Sequence, residues 1–189
     1  MLAKLRDSEV LRYFIHSSHY RGPINYSPPQ LEQADAALTR IYTALRDLPR
    51  IPSEPGAYSA RFSEVMNDDL NTPEAFAVLQ GMAREINTAR AAHDLARAAA
   101  IGAELVELGS VLGVAQRDPT VWFQKRAGNV GESVAGASTN EQIEALIARR
   151  LEARRSRNWA ESDRIRKELA AQGIALEDKP GGETLWRRG

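Results

Sequence analysis

From Leu31 to Leu112 apolar residues return at three- and four-residue steps, interrupted where prolines and turn formers cluster. That period suits amphipathic helices, not strands. Leu31, Ala34, Leu38, Ile41, Tyr42 and Leu45 predict one long helix ending near Pro49. Pro49 to Gly56 holds three prolines and reads as a loop, followed by a shorter helix over Tyr58–Met66. Asp68-Asp69-Leu70-Asn71-Thr72-Pro73-Glu74 then restarts the pattern: Thr72 suits an N-cap, Pro73 the first helical position, and Glu74 the positive dipole end. Phe76, Leu79, Ala83 and Ile86 continue that helix; Leu95, Ala98, Leu105, Leu108 and Leu112 make the next, closed by Gly113. Upstream, residues 8–17 predict a helix capped by Ser8 with Val10, Leu11 and Phe14 on one face. Pro23 to Pro29, with three prolines, is expected to be a loop. Long helices joined by short loops imply an antiparallel bundle, so the fold class expected is mainly α.

Residues 127–140 are small, polar and Gly-rich and read as a flexible linker. Beyond them the pattern changes. Ile143, Leu146, Ile147 and Leu151 mark a helix whose far side carries Arg149, Arg150, Arg154 and Arg155. Asn158-Trp159-Ala160-Glu161 resembles a capping box, and Ile165 and Leu169 carry a second helix to Gly173. Ile174 and Leu176 alternate as in a strand, Pro180-Gly181-Gly182 is a turn, and Glu183–Arg187 returns. A small α+β unit is expected: a helical hairpin with a short β-hairpin. About 50 residues bury little core by themselves, so such a unit leans on a partner.

Composition narrows the function. The chain has no cysteine, which removes disulfides, thiolate metal sites and a cysteine nucleophile. Lysine plus arginine equals aspartate plus glutamate at 25 each, so any nucleic-acid contact must come from local patches. No run of about 18 apolar residues suggests a membrane span, and the polar stretch Lys4–Glu9 is unlike a signal peptide. A cytoplasmic protein without membrane partners is expected. There is no Gly-rich phosphate loop, H-E-x-x-H or serine elbow, and no catalytic residue is assigned. His16 and His19 stand three apart without a third ligand near in sequence, so no metal site is assigned either.

Residues 149–157 hold five arginines against one glutamate. Spacing alone favours a solvated face with internal ion pairs; the alternative is a phosphate-facing stripe. Trp159, at the helix junction, is by residue statistics more often a packing anchor than a base platform. Asp163, four residues on, shares its face, and an ion pair with Arg166 or Lys167 explains it most simply. Together an aromatic ring, a carboxylate and arginines have the makings of a pocket for unpaired bases.

Further segments carry a resemblance over nearly the whole chain: Leu11-Arg12-Tyr13-Phe14, Ser17 to Ser27, Leu31 to Leu45, Asp68 to Ala75, Ala83 to Asn87, Val111-Leu112-Gly113, Ile143 to Ile147, Gly173 to Asp178 and Thr184-Leu185-Trp186-Arg187-Arg188. In these the chain resembles the C-terminal, tRNA-binding part of bacterial cysteinyl-tRNA synthetases, which are class I enzymes. The resemblance implies a stem-contact segment at 1–27, a DALR-type helical bundle at 28–126, the linker at 127–140 and a small anticodon-binding domain at 141–189. It implies tRNA(Cys) as partner, with Arg154, Trp159, Asp163 and Asp178 at the anticodon and Arg187 and Arg188 adding backbone contacts. Trp159 would stack, Arg154 would meet phosphate or a base acceptor edge, and both aspartates would accept from base donors. Lys179 follows Asp178 where the family usually has glycine. That family's catalytic domain carries HIGH and KMSKS signatures and a zinc site, and no position here matches them. ATP, zinc and aminoacylation are therefore expected only in a catalytic domain. One alternative is a free-standing appendage docking on such a domain through Tyr13, Phe14, Ile15 and Tyr20; another is a paralogue binding other RNA.

Overall fold

The computed structural model describes residues 5–125, 138–179, 182 and 184–188. The chain divides into one unit of residues 7–122 and a second of residues 1–6 with 123–189.

In the first unit α1 (Ser8–His16), α2 (Pro28–Leu45), α3 (Ala57–Asn67), α4 (Thr72–Ala91) and α5 (Leu95–Val111) form a helical bundle, followed by the short α6 (Pro119–Gln124). The predicted long helices are all present. α4 packs against α2, α3 and α5, and α1 against α2. α4 and α5 are joined by a tight turn at residues 92–94, where His93 takes a positive φ of 59°. The core is the apolar stripe read from the sequence: Leu38, Ile41, Tyr42, Leu79, Met82, Ile86 and Leu105 are fully buried. Each such side chain contributes about 1.5–3 kcal/mol on leaving water. Trp122 on α6, a helix the periodicity did not reveal, is fully buried and stacks on Tyr42 at 4.3 Å between centroids.

Several boundaries differ from expectation for local reasons. Asp7, not Ser8, caps α1 by accepting from the Glu9 N–H. Asn71, not Thr72, caps α4 by accepting from Glu74 N–H at 3.3 Å, while Thr72 donates its hydroxyl to the His16 carbonyl. Pro28 and Pro29 open α2 instead of ending a loop, because the first helical turn needs no N–H donor. On α1 Leu11 is only half-buried, while Tyr13 faces inward beside Val10 and Phe14. Tyr13 and Phe14 are thus core residues and not part of an exposed interface; Ile15 and Tyr20 are exposed. Gly113 follows α5 at φ +63°, the left-handed conformation foreseen for its helix end.

In the second unit α7 (Asn140–Arg155) and α8 (Trp159–Ala171) pair, and β1 (Ile174–Asp178) lies antiparallel to β2 (Thr184–Arg188). Ile174 faces Arg188, Leu176 faces Trp186, and Asp178 faces Thr184. Ile143, Ile147, Ile165, Leu169, Ile174 and Trp186 form its core. Trp186 is the packing anchor here, its indole N–H donating to Glu144 Oε1 at 2.5 Å. Of the expected linker, residues 127–137 lie outside the described residues. Thr139 forms a full capping box with Gln142, so the last residues of that stretch start α7. Pro180, Gly181 and Glu183 of the expected turn and return strand also lie outside the described residues; Gly182 donates to Lys179 O with φ +88°.

Candidate nucleic-acid interface

The turn between α7 and α8 sets the geometry of the second unit. Arg157 takes φ +58° there, Asn158 N–H bonds Ala153 O at 2.7 Å, and the Asn158 side chain caps α8 by accepting from Glu161 N–H. This abrupt reversal leaves Trp159 at the first position of α8, with 58% of its surface exposed. No ring contact engages it among the described residues. The packing-anchor expectation for Trp159 is therefore overturned: the α8 core stripe runs through Ser162, Ile165 and Leu169, off the tryptophan's face. Asp163 is exposed, with neither Arg166 nor Lys167 as an ion-pair partner among the described residues. Arg164 takes that surface role instead, pairing with Glu161 at 2.7 Å and Glu168 at 3.2 Å.

Asp178, at the end of β1, is the hub of a second cluster. Arg150 binds it bidentately, Nη1 to Oδ1 and Nη2 to Oδ2, both at 2.8 Å. Arg154 Nη1 donates to Oδ2 at 2.8 Å and Thr184 Oγ1 to Oδ1 at 2.8 Å. Arg150 is buried, with its Nε unpartnered, whereas the Arg154 side chain is 42% exposed. The Arg150 hydrogen bonds, with Thr184 and Arg154 adding to them, hold the Asp178 carboxyl well below the ordinary carboxylate range. In return Asp178 raises the Arg150 guanidinium, and Asp163 lies near enough to add to that field. Arg150, Asp178 and Arg154 thus form one hydrogen-bonded cluster.

The arginine stripe is largely compensated. Arg149 pairs with Glu161, Arg150 and Arg154 with Asp178, and Arg155 with Glu152, so four of its five arginines have acidic neighbours. Arg187 is exposed on β2. Arg188 is engaged inside the domain, donating to Ser138 O at 2.8 Å and Asn140 Oδ1 at 3.1 Å and lying over the Trp186 ring.

Sequence reading placed Arg150 on the solvated face, and it is buried. A signal was available: Ile143, Ile147 and Arg150 follow at steps of four and three, so Arg150 extends the core stripe of α7. Thr184 was read as part of a motif without a role, and its hydroxyl completes the Asp178 cluster.

Among the described residues no group of three or more histidine or carboxylate side chains is placed to hold a metal ion. Likewise, none of the described helices is long and apolar enough to cross a membrane.

Comparison with known proteins bears on the same residues. A family model described as DALR domain matches residues 61–116, and one described as cysteinyl-tRNA ligase anticodon binding domain matches residues 138–187. A cysteine–tRNA ligase of Methylococcus capsulatus is 54% identical across 100% of this chain and 40% of the relative. One of Azotobacter vinelandii is 51% identical across 95% of this chain and 37% of the relative. One of Burkholderia vietnamiensis is 47% identical across 96% and 38%. The chain thus spans about 40% of the length of the curated relatives it matches.

Proposed function

Because residues 61–116 belong to the DALR domain family and residues 138–187 to the cysteinyl-tRNA ligase anticodon-binding family, we propose that this chain is the tRNA-binding part of a cysteine–tRNA ligase. It recognises the stem and anticodon of tRNA(Cys) in the cytoplasm. The observation that carries this reading is the exposed Trp159 at the first position of α8, on the turn that follows the arginine-rich end of α7. An indole left in water at the first turn of a helix gains nothing for the fold. It does give an unpaired base a face to stack on, worth about 1–3 kcal/mol per base.

The remaining roles follow from what each group has free. Arg154 meets phosphate or a base acceptor edge. Asp163, which has no hydrogen-bond or ion-pair partner among the described residues, accepts from base amino or imino groups. Arg187 contacts the RNA backbone, whereas Arg188 is committed to Ser138, Asn140 and Trp186. ATP, zinc and cysteine bind outside this chain, in a catalytic domain with which it works.

Titration with a tRNA(Cys) transcript, beside one with a replaced anticodon and at two salt concentrations, tests the reading. Preference for the native anticodon is expected. Equal, purely salt-driven binding of both transcripts would refute anticodon recognition by this chain.

A second reading concerns the first unit. Ile15 near the end of α1 and Tyr20, Ile24 and Tyr26 between α1 and α2 are exposed, and we propose that the catalytic domain docks there. Ile24→Glu should then abolish co-elution with a purified catalytic domain while leaving this chain's preference for the native anticodon intact.

A further inference from the structure

We infer that Asp178 does not read a base but positions Arg154, which does. This rests on the anticodon-binding reading above and assigns the division of labour within that site. A carboxylate offers about four lone-pair positions. On Asp178 each oxygen already accepts twice: Oδ1 from Arg150 and Thr184, Oδ2 from Arg150 and Arg154. A base amino group could reach Asp178 only by breaking one of these charge-assisted bonds.

Arg154 stands in the opposite condition. It spends only Nη1 on Asp178, which leaves about four of a guanidinium's five N–H donors unengaged among the described residues. With its side chain 42% exposed, it can meet a ligand without giving anything up. Arg150, 7% exposed in its side chain, clamps the carboxylate from beneath. The chain of restraint therefore runs from the α7 core, through Arg150 and Asp178, to the Arg154 guanidinium. A donor-only group in a fixed plane selects acceptors: a phosphate, or the acceptor edge of an unpaired guanine or cytosine. Holding that plane in advance reduces the rotamer freedom lost on binding.

The signs of the effects separate this from plain electrostatics. Asp178→Asn removes a negative charge from an RNA-facing surface, which by charge alone tightens binding. Positioning demands that the same change weakens it.

The experiment uses the full chain and the tRNA(Cys) transcript with its anticodon variants, comparing wild type, Arg154→Ala, Asp178→Asn and the double variant, with thermal melts to check folding. Each single variant is expected to bind about 5- to 10-fold more weakly, within the range for one well-placed side chain. The double variant should be no weaker than Arg154→Ala alone, and Asp178→Asn should keep the wild-type ranking of anticodons. Binding by Asp178→Asn equal to or tighter than wild type, losses that multiply in the double variant, or a changed ranking would each overturn the proposal; the last would make Asp178 a reader. If wild type itself ignores the anticodon, the anticodon reading fails separately. Positioning is then decided by whether Asp178→Asn and Arg154→Ala flatten the salt dependence equally. Should Asp178→Asn not fold, Thr184→Val loosens the same carboxylate without altering charge. A weaker complex with unchanged ranking is expected from it, and unaltered affinity would overturn the proposal.

Discussion

The Tyr42 hydroxyl donates to Glu9 Oε2 at 2.6 Å, and both residues are buried. The same carboxylate accepts from Ala115 N–H at 3.0 Å and Gln116 N–H at 3.1 Å, while Tyr42 Oη accepts from Arg117 N–H at 3.1 Å. One acidic side chain on α1 thereby fixes α2 and the loop after α5. Burial, reinforced by Glu9, raises the Tyr42 phenol far above its ordinary range, so it stays a donor.

Removing Glu9 strands the Tyr42 hydroxyl and the Ala115 N–H in the interior and frees the Gln116 N–H at its edge. Glu9→Ala should lower stability by on the order of 3 kcal/mol or more, and Tyr42→Phe by about 1–2 kcal/mol, given about 1–3 kcal/mol per orphaned buried group. Urea denaturation measures both. A Glu9→Ala loss below that of Tyr42→Phe would contradict the ordering.

Acid should weaken the second unit. Asp178 is held low first by its hydrogen bonds with Arg150, then by Thr184 and Arg154, and Glu161 is held low by Arg164 and then Arg149. A carboxylate with a folded pKa below its unfolded value adds stability above the unfolded value, near 4, and loses it as pH falls toward the folded one. The melting temperature of this unit should therefore be flat from about pH 7 to 5 and drop below about pH 4. Asp178→Asn should start lower and show a shallower drop; an equally steep acid limb would mean other groups carry it.

The two tryptophans of the second unit should behave oppositely. Trp186 is 4% exposed, and Trp186→Ala should cost about 3–5 kcal/mol of stability. Trp159 is 58% exposed, and Trp159→Ala should change stability by no more than about 0.5 kcal/mol. Its effect should fall on tRNA affinity, by about 1–3 kcal/mol if a base stacks there. Thermal melts and titrations on one pair of variants decide it. Unchanged affinity for Trp159→Ala would remove the stacking role.

Helices were legible where burial repeats with the helical period, as from Leu31 to Leu45, because one face must meet the core. Cap positions were legible only in part: Asn158 caps α8 as read, whereas the start of α4 shifts by one residue. Asn71 and Thr72 are both competent caps, and only the tertiary bond from Thr72 to the His16 carbonyl decides which one serves. Residue statistics favoured burial for Trp159, and only the tight turn at Arg157, which fixes which way α8 begins, leaves it exposed. The Asp178 cluster joins residues 24 and 28 positions apart, a pairing that no local pattern reveals.

Two helix glycines should respond to alanine with opposite signs. Alanine in a helix interior normally stabilises by about 0.5–1 kcal/mol over glycine. Gly81 in α4 has room for it, since a Cβ there meets nothing nearer than the Arg84 side chain at 3.7 Å. Gly81→Ala should raise stability by up to that amount. On Gly109 in α5 a Cβ would lie 2.7 Å from the Val114 carbonyl oxygen, which is backbone and cannot swing aside. Relief would require moving the 113–117 loop, whose amides are bound to Glu9 and Tyr42. The overpacking penalty of about 1–3 kcal/mol therefore exceeds the helix gain, and Gly109→Ala should destabilise. Denaturation midpoints of the two variants test this, and a rise for both would show that the loop yields more easily than its hydrogen bonds imply.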